Sequence, residues 1–133
     1  MSDKVKKVIS FLAGANLANG KYEDCEKQAV AMIGEKLGVA EAEFLSLVDA
    51  EMAKQKAFSD EEQDNFYCEI SEGIEEEDAL EIYSYCLELV FSDGEFSRDE
   101  VEVMVAFAEV LDIEIEDAIL MMIAECMPEI EFD

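Results

Sequence analysis

Acidic side chains crowd into one short stretch of the chain, Asp93-Gly94-Glu95-Phe96-Ser97-Arg98-Asp99-Glu100. Carboxylates gathered at a bend are suited to two kinds of chemistry. They can hold a hard divalent cation, Mg²⁺, Ca²⁺ or Mn²⁺, whose preferred ligands are oxygens. They can also act as general acids and bases, but a working pair needs one carboxyl whose pKa is raised in a pocket, and the sequence marks no such pocket. The chain has no histidine. That excludes histidine-activated nucleophiles, two-histidine zinc sites and the Glu-x-x-His pattern of di-iron bundles. There is no glycine-rich phosphate loop and no nucleophile with a base beside it, so a non-catalytic protein is expected. The same residues also have a purely structural use. Asp93 and Gly94 can end one helix, Ser97 and Glu100 can cap the next, and Phe96 can plug the core beneath the turn.

A calcium-binding helix-loop-helix can be tested by register. Asp93, Gly94, Ser97 and Glu100 suit the fifth, sixth, ninth and twelfth places of such a loop, but Leu89 and Phe91 then fall at the first and third and bring no oxygen ligands. A loop without its two leading carboxylates cannot build that cage. Tyr83, Cys86, Leu87, Val90 and Phe91 instead keep helical apolar spacing up to the bend.

Helices must therefore position the turn, and the chain encodes them twice. Leu17-Ala18-Asn19-Gly20-Lys21-Tyr22 with Glu26 returns 74 residues later as Phe91-Ser92-Asp93-Gly94-Glu95-Phe96 with Glu100. Behind each copy, Ile33 pairs with Phe107, Leu37 with Leu111, Val39 with Ile113, Leu45 with Ile119 and Val48 with Met122 at the same offset. The spacing predicts an all-α fold, a single compact bundle of about seven helices, made of two repeated three-helix units and a linking helix. The helices are expected at about 3–18, 23–37, 40–56, 59–72, 76–92, 97–111 and 115–127. Gly20, Gly38, Gly73 and Gly94 follow apolar-periodic runs and should close helices, and Pro128 should end the last. Ser59-Asp60-Glu61-Glu62 and Ser97-Arg98-Asp99-Glu100 fit the capping box, whereas Glu23 replaces the serine ahead of Glu26. The helices rich in Val101 to Leu111 and Ala118 to Ala124 are apolar on most sides and are expected at the centre, with Met121, Met122 and Met127 as core filler or an adaptable surface. Cys25, Cys68, Cys86 and Cys126 are scattered and read as buried reduced thiols.

The charge is uneven. Residues 1–56 carry eight Lys against nine acids, while residues 57–133 carry Arg98 alone against 26 acids, within a net charge of −26. A polyanionic half repels nucleic acid and anionic membrane surfaces, so cations or a basic protein surface are the expected partners, with a homodimer also open. The apolar run from Val8 to Ala13 is broken by Asn16, Asn19 and Lys21 before a signal core or span is complete, so a cytoplasmic protein with no direct membrane insertion is expected.

A helix ending in Asp-Gly, then an acid, an apolar residue, Ser, and a Glu three further on that opens an apolar helix, resembles the signature of the tellurite-resistance TerB-like family. The resemblance is best over residues 80–127 and weaker over 11–52, where Asn19 and Lys21 replace the acids. It implies a compact helical bundle with an internal repeat, found in bacterial stress and metal-resistance assemblies, with a divalent metal held beside the turn. Carried over residue by residue, it points to Asp93 and Glu100 as ligands, with Asn19 and Glu26 as a degenerate counterpart. Glu95 and Asp99 would add charge around such an ion, and Glu125, which shares its repeat position with Glu51, would approach from the third helix.

Overall fold

The computed structural model describes residues 2–20, 22–92, 94 and 97–126. Among the described residues seven helices follow one another: α1 (Asp3–Asn19), α2 (Asp24–Lys36), α3 (Glu41–Lys56), α4 (Asp60–Ser71), α5 (Glu76–Val90), α6 (Arg98–Val110) and α7 (Ile115–Cys126). There is no strand among the described residues. Each boundary falls within two residues of its expected place. Met127 and Pro128, the expected end of α7, lie outside the described residues.

Local chemistry accounts for the starts. Ser59 and Ser97 each accept a bond from the amide three residues on, and Glu62 and Glu100 reach back to the serine amides, so both expected capping boxes form. Ser2 caps α1 in the same way, accepting from the Val5 amide. Glu23 precedes α2 with no side-chain cap. Acids fill the first turns of α3 to α7, where the positive end of the helix dipole favours them.

The repeat is also visible in how helices stop. After α2, Val39 N–H donates to Gly34 O and Gly38 N–H to Glu35 O. After α6, Ile113 N–H donates to Ala108 O and Asp112 N–H to Glu109 O. These are the same paired bonds of a Schellman closure, 74 residues apart, and both need a left-handed residue. Gly38 supplies it at φ 78°, and Asp112 supplies it at φ 57°, a conformation that Asp tolerates better than most side chains.

The centre of the bundle is not where composition placed it. α6 and α7 were expected there, but α1 and α5 occupy it. Val8, Phe11, Leu12, Ala13 and Ala15 of α1 are fully buried, as are Tyr83, Cys86 and Leu89 of α5. α1 packs on α3, α5 and α6, and α5 touches α1, α2, α6 and α7. α7 covers only one side of itself, with Ala118 buried and Met121 and Met122 partly buried against the core, while Ile115, Ile119, Leu120 and Ile123 stay exposed. Apolar composition says that a helix seeks cover; it does not say which sides find it.

The linking helix α4 is pinned by Tyr67. Its ring packs on Phe11 and Phe107 at centroid distances of 5.1 and 5.2 Å. Its hydroxyl reaches the Ser10 carbonyl oxygen and Gln55 Oε1 in the interior. Gly14 makes the approach possible, since a Cβ there would sit 1.9 Å from the Tyr67 oxygen. No helix among the described residues is long and apolar enough to cross a membrane.

Candidate metal centre

The acidic turn begins where α5 ends. Phe91 closes α5, the Gly94 amide donates to Phe91 O at 3.0 Å, and the chain then enters the capping box of α6. Glu100 is the third residue of α6. Its Oε1 accepts from the Ser97 amide at 2.8 Å, and its own amide donates to Ser97 Oγ at 3.2 Å.

The other carboxylate oxygen is the unusual feature. Glu100 is 2% exposed, and its Oε2 is buried with no hydrogen-bond partner. A solvated cap would leave that oxygen in water at no cost. Burying a carboxylate oxygen without a donor costs on the order of 1–3 kcal/mol or more, offset in part by the helix dipole at this N-terminal position. An oxygen held this way is a ready ligand for a cation, and its chemistry suits a hard one.

The first copy places Glu26 at the corresponding point, third in α2 and fully buried. Its surroundings differ. The Cys25 thiol donates to Glu26 Oε2. One turn back on α1, Asn16 stands where Val90 stands in the second copy. Its Nδ2 donates to Met52 Sδ at 3.3 Å, and its Oδ1 is buried without a partner. Tyr22, just beyond the turn, has its phenol pKa raised, first by burial and then by the Asp49 carboxylate.

The remaining sequence candidates separate. Asp93 and Glu95, and the core plug Phe96, lie outside the described residues. Asp99, beside Glu100 in the sequence, is exposed. Glu125 is partly buried, and burial raises its pKa first, the Glu88 carboxylate raises it further and Lys36 opposes both. Its counterpart Glu51 is taken up by the α1–α3 contact, where Glu51 Oε1 accepts from Ser10 Oγ at 3.1 Å and from Gln55 Nε2 at 3.3 Å. Among the described residues no group of three or more acidic or cysteine side chains converges on one point. The cysteines do not share one environment: Cys86 is buried, Cys25 partly so, and Cys68 is exposed, contrary to expectation. Cys68 lines an open groove of about 680 Å³ between α1, α4 and α6, with Leu17, Val103, Phe107 and Val110.

The repeat singles out Glu100 and Glu26 in the sequence but does not show their burial. A glutamate three residues after a serine reads as a surface cap, and burial depends on what packs across it. The signal available was the retention of Glu26 where the cap serine is absent.

A family model described as tellurite resistance protein TerB matches residues 6–123, spanning both copies and the linking helix. No curated protein and no solved structure matches the chain.

Proposed function

The chain belongs to the TerB family, and from that premise we propose that it is a non-catalytic cytoplasmic module of bacterial stress or tellurite and metal-resistance assemblies, binding a divalent cation at the turn before α6. Glu100 and Asp93 are the proposed ligands, and Glu95 and Asp99 add negative charge around the ion. One observation carries this reading: a buried carboxylate oxygen of Glu100 left without a donor at a helix N-terminus. The donors available at the turn are oxygens, so Mg²⁺, Ca²⁺ or Mn²⁺ is favoured over zinc.

Thermal melting against the concentration of each ion tests it. An ion that binds the folded chain alone stabilises it by RT ln(1 + [L]/Kd), about 2.7 kcal/mol at a hundred times Kd. Glu100→Gln keeps an oxygen and an amide for the cap while removing the charge, and Asp93→Asn does the same at the turn. Both should abolish the ion-specific gain, while Asp99→Asn should preserve most of it. A gain that survives Glu100→Gln would defeat the assignment.

A second reading is favoured by the uneven charge, in which residues 57–133 set Arg98 against 26 acids. The acidic half then acts as an adaptor that docks a basic protein partner without an ion. It is tested by whether a basic helical peptide binds the chain in the presence of a chelator.

A further inference from the structure

Large apolar side chains are exposed at seven described positions, and six of them lie on the last two helices. On α7, Ile115, Ile119 and Ile123 follow one another at four-residue spacing and so form one stripe along the helix, with Leu120 beside it at 63% exposure. On α6, Val101 and Val105 repeat the four-residue spacing. Met32 on α2 is the seventh. A helix that is apolar on nearly all sides is stable when most of those sides are covered, and α7 is covered on one.

Charge decides what covers it. Glu114, Glu116 and Asp117 are exposed at the start of α7, and Asp99, Glu102, Glu109 and Asp112 are exposed along α6 and the turn that follows. Arg98, the one cation of residues 57–133, is spent on Glu102 at 3.4 Å. A second copy would bring the same polyanionic half against this one, and like charges across an interface are costly. The sequence that follows α7 is no better matched, since Glu129, Glu131 and Asp133 are also acidic. A segment with apolar anchors and Lys or Arg on its flanks satisfies both features at once.

We propose that the outer face of α6 and α7 is a docking surface for a basic amphipathic helix, whose apolar stripe seats on Ile115, Ile119, Leu120, Ile123, Val101 and Val105 while its cations meet the surrounding carboxylates. This rests on the second reading above and deepens it by naming the face and the occupant. It is independent of any metal at Glu100.

The probe is a synthetic Leu/Lys peptide of about 18 residues, five helical turns, patterned as an amphipathic helix. Its control is a scrambled peptide of equal composition. Both are titrated into the full chain with a chelator present, amide shifts are mapped, and sedimentation gives the oligomeric state. The patterned peptide should bind about tenfold or more tightly than the scrambled one and shift amides on α6 and α7. The triple variant Ile119→Ser/Leu120→Ser/Ile123→Ser should erase that advantage, at about tenfold per lost pair of anchors. Because these side chains are exposed, the variant should keep its helical circular dichroism, and Met32→Ser should bind as the unaltered chain does. Equal binding of both peptides, unchanged by the triple variant, would overturn the face while leaving a diffuse acidic adaptor standing. No binding of either peptide would overturn face and adaptor together. A dimer that the triple variant converts to monomer would assign the face to a second copy and overturn the proposal.

Discussion

A carboxyl group partly buried near another of the same sign holds its proton more tightly than it would in water, and Glu125 is such a group. Burial is the larger cause, the Glu88 carboxylate adds to it, and Lys36 works against both. Because the folded chain binds this proton more strongly than the unfolded chain, the contribution to stability is fully present below the ordinary glutamate range and is lost as pH rises through the folded value. At neutral pH the ionised side chain is a liability, and Glu125→Gln should raise the melting temperature by roughly 1–3 °C after allowance for solvent screening. At about pH 3.5 the two proteins should melt together. A difference that stays constant across that range would point to packing instead. Lys36 also pairs with Glu88 at 3.1 Å, so the same cation restrains both carboxylates. At this scale the sequence was partly legible. Ser97 and Glu100 announced a cap by their spacing, and the cap forms, but neither the buried oxygen of Glu100 nor the effect of Glu88 on Glu125 could be read. Both depend on residues far away in the chain that only packing brings near.

Between elements, the two copies solve the same crossing with different volumes. Gly34 on α2 lies under Phe44 of α3, and a Cβ on Gly34 would meet the Phe44 ring 2.6 Å away. The repeat-equivalent positions carry Ala108 and Ala118, both buried. One copy thus uses a very small residue opposite a large one, and the other uses two small ones. Gly34→Ala should therefore destabilise by about 1–3 kcal/mol through overpacking, although alanine is the better helix former. Phe44→Ala should cost about 3–5 kcal/mol through the cavity it leaves. The double variant, which restores the pairing of the second copy, should cost less than the two single costs combined by about 1 kcal/mol, as residues in direct contact do. Urea denaturation of the four proteins measures that coupling, and additive costs would show that the two positions do not share one space. The element boundaries were legible because glycines and serines mark turns and caps locally. The volume exchange was not, since a glycine inside a helix reads as a weak spot until its neighbour across the crossing is known. α7 differs from expectation for a related reason: its composition shows apolarity all round, and which of its sides is covered depends on the helices packed against it.

Over the whole molecule, the charge asymmetry that marks the sequence is built into the assembly. Lys4 on α1 pairs with Glu81 and lies 3.8 Å from Asp78, and Lys36 on α2 pairs with Glu88, so cations of the first half are anchored to α5 in the second. The Lys4 hydrogen bond is the main reason that Glu81 is held below the usual carboxylate range, and Glu81 raises Lys4 in turn. That contribution is present above the ordinary glutamate range and is lost as pH falls through the lowered value. Two exposed pairs are worth little, about 0–1 kcal/mol each. Against them stands the mutual repulsion of 26 acids answered by one arginine over residues 57–133, with no basic residue in the last turns of α4 to α7 to oppose the helix dipoles. Salt weakens both effects, but repulsion acts among many more charges. Raising NaCl from about 0.01 to 0.5 M shortens the screening length from roughly 30 Å to a few ångströms and should raise the melting temperature steadily. Glu100→Gln should show the same rise, because screening does not depend on one carboxylate. MgCl₂ or CaCl₂ at matched ionic strength should add a further increment in the unaltered chain and none in Glu100→Gln, which separates a bound ion from a diffuse atmosphere. A melting temperature that falls with NaCl would mean that the cross-half pairs outweigh the repulsion, and the acidic half would then be held in place by its few cations.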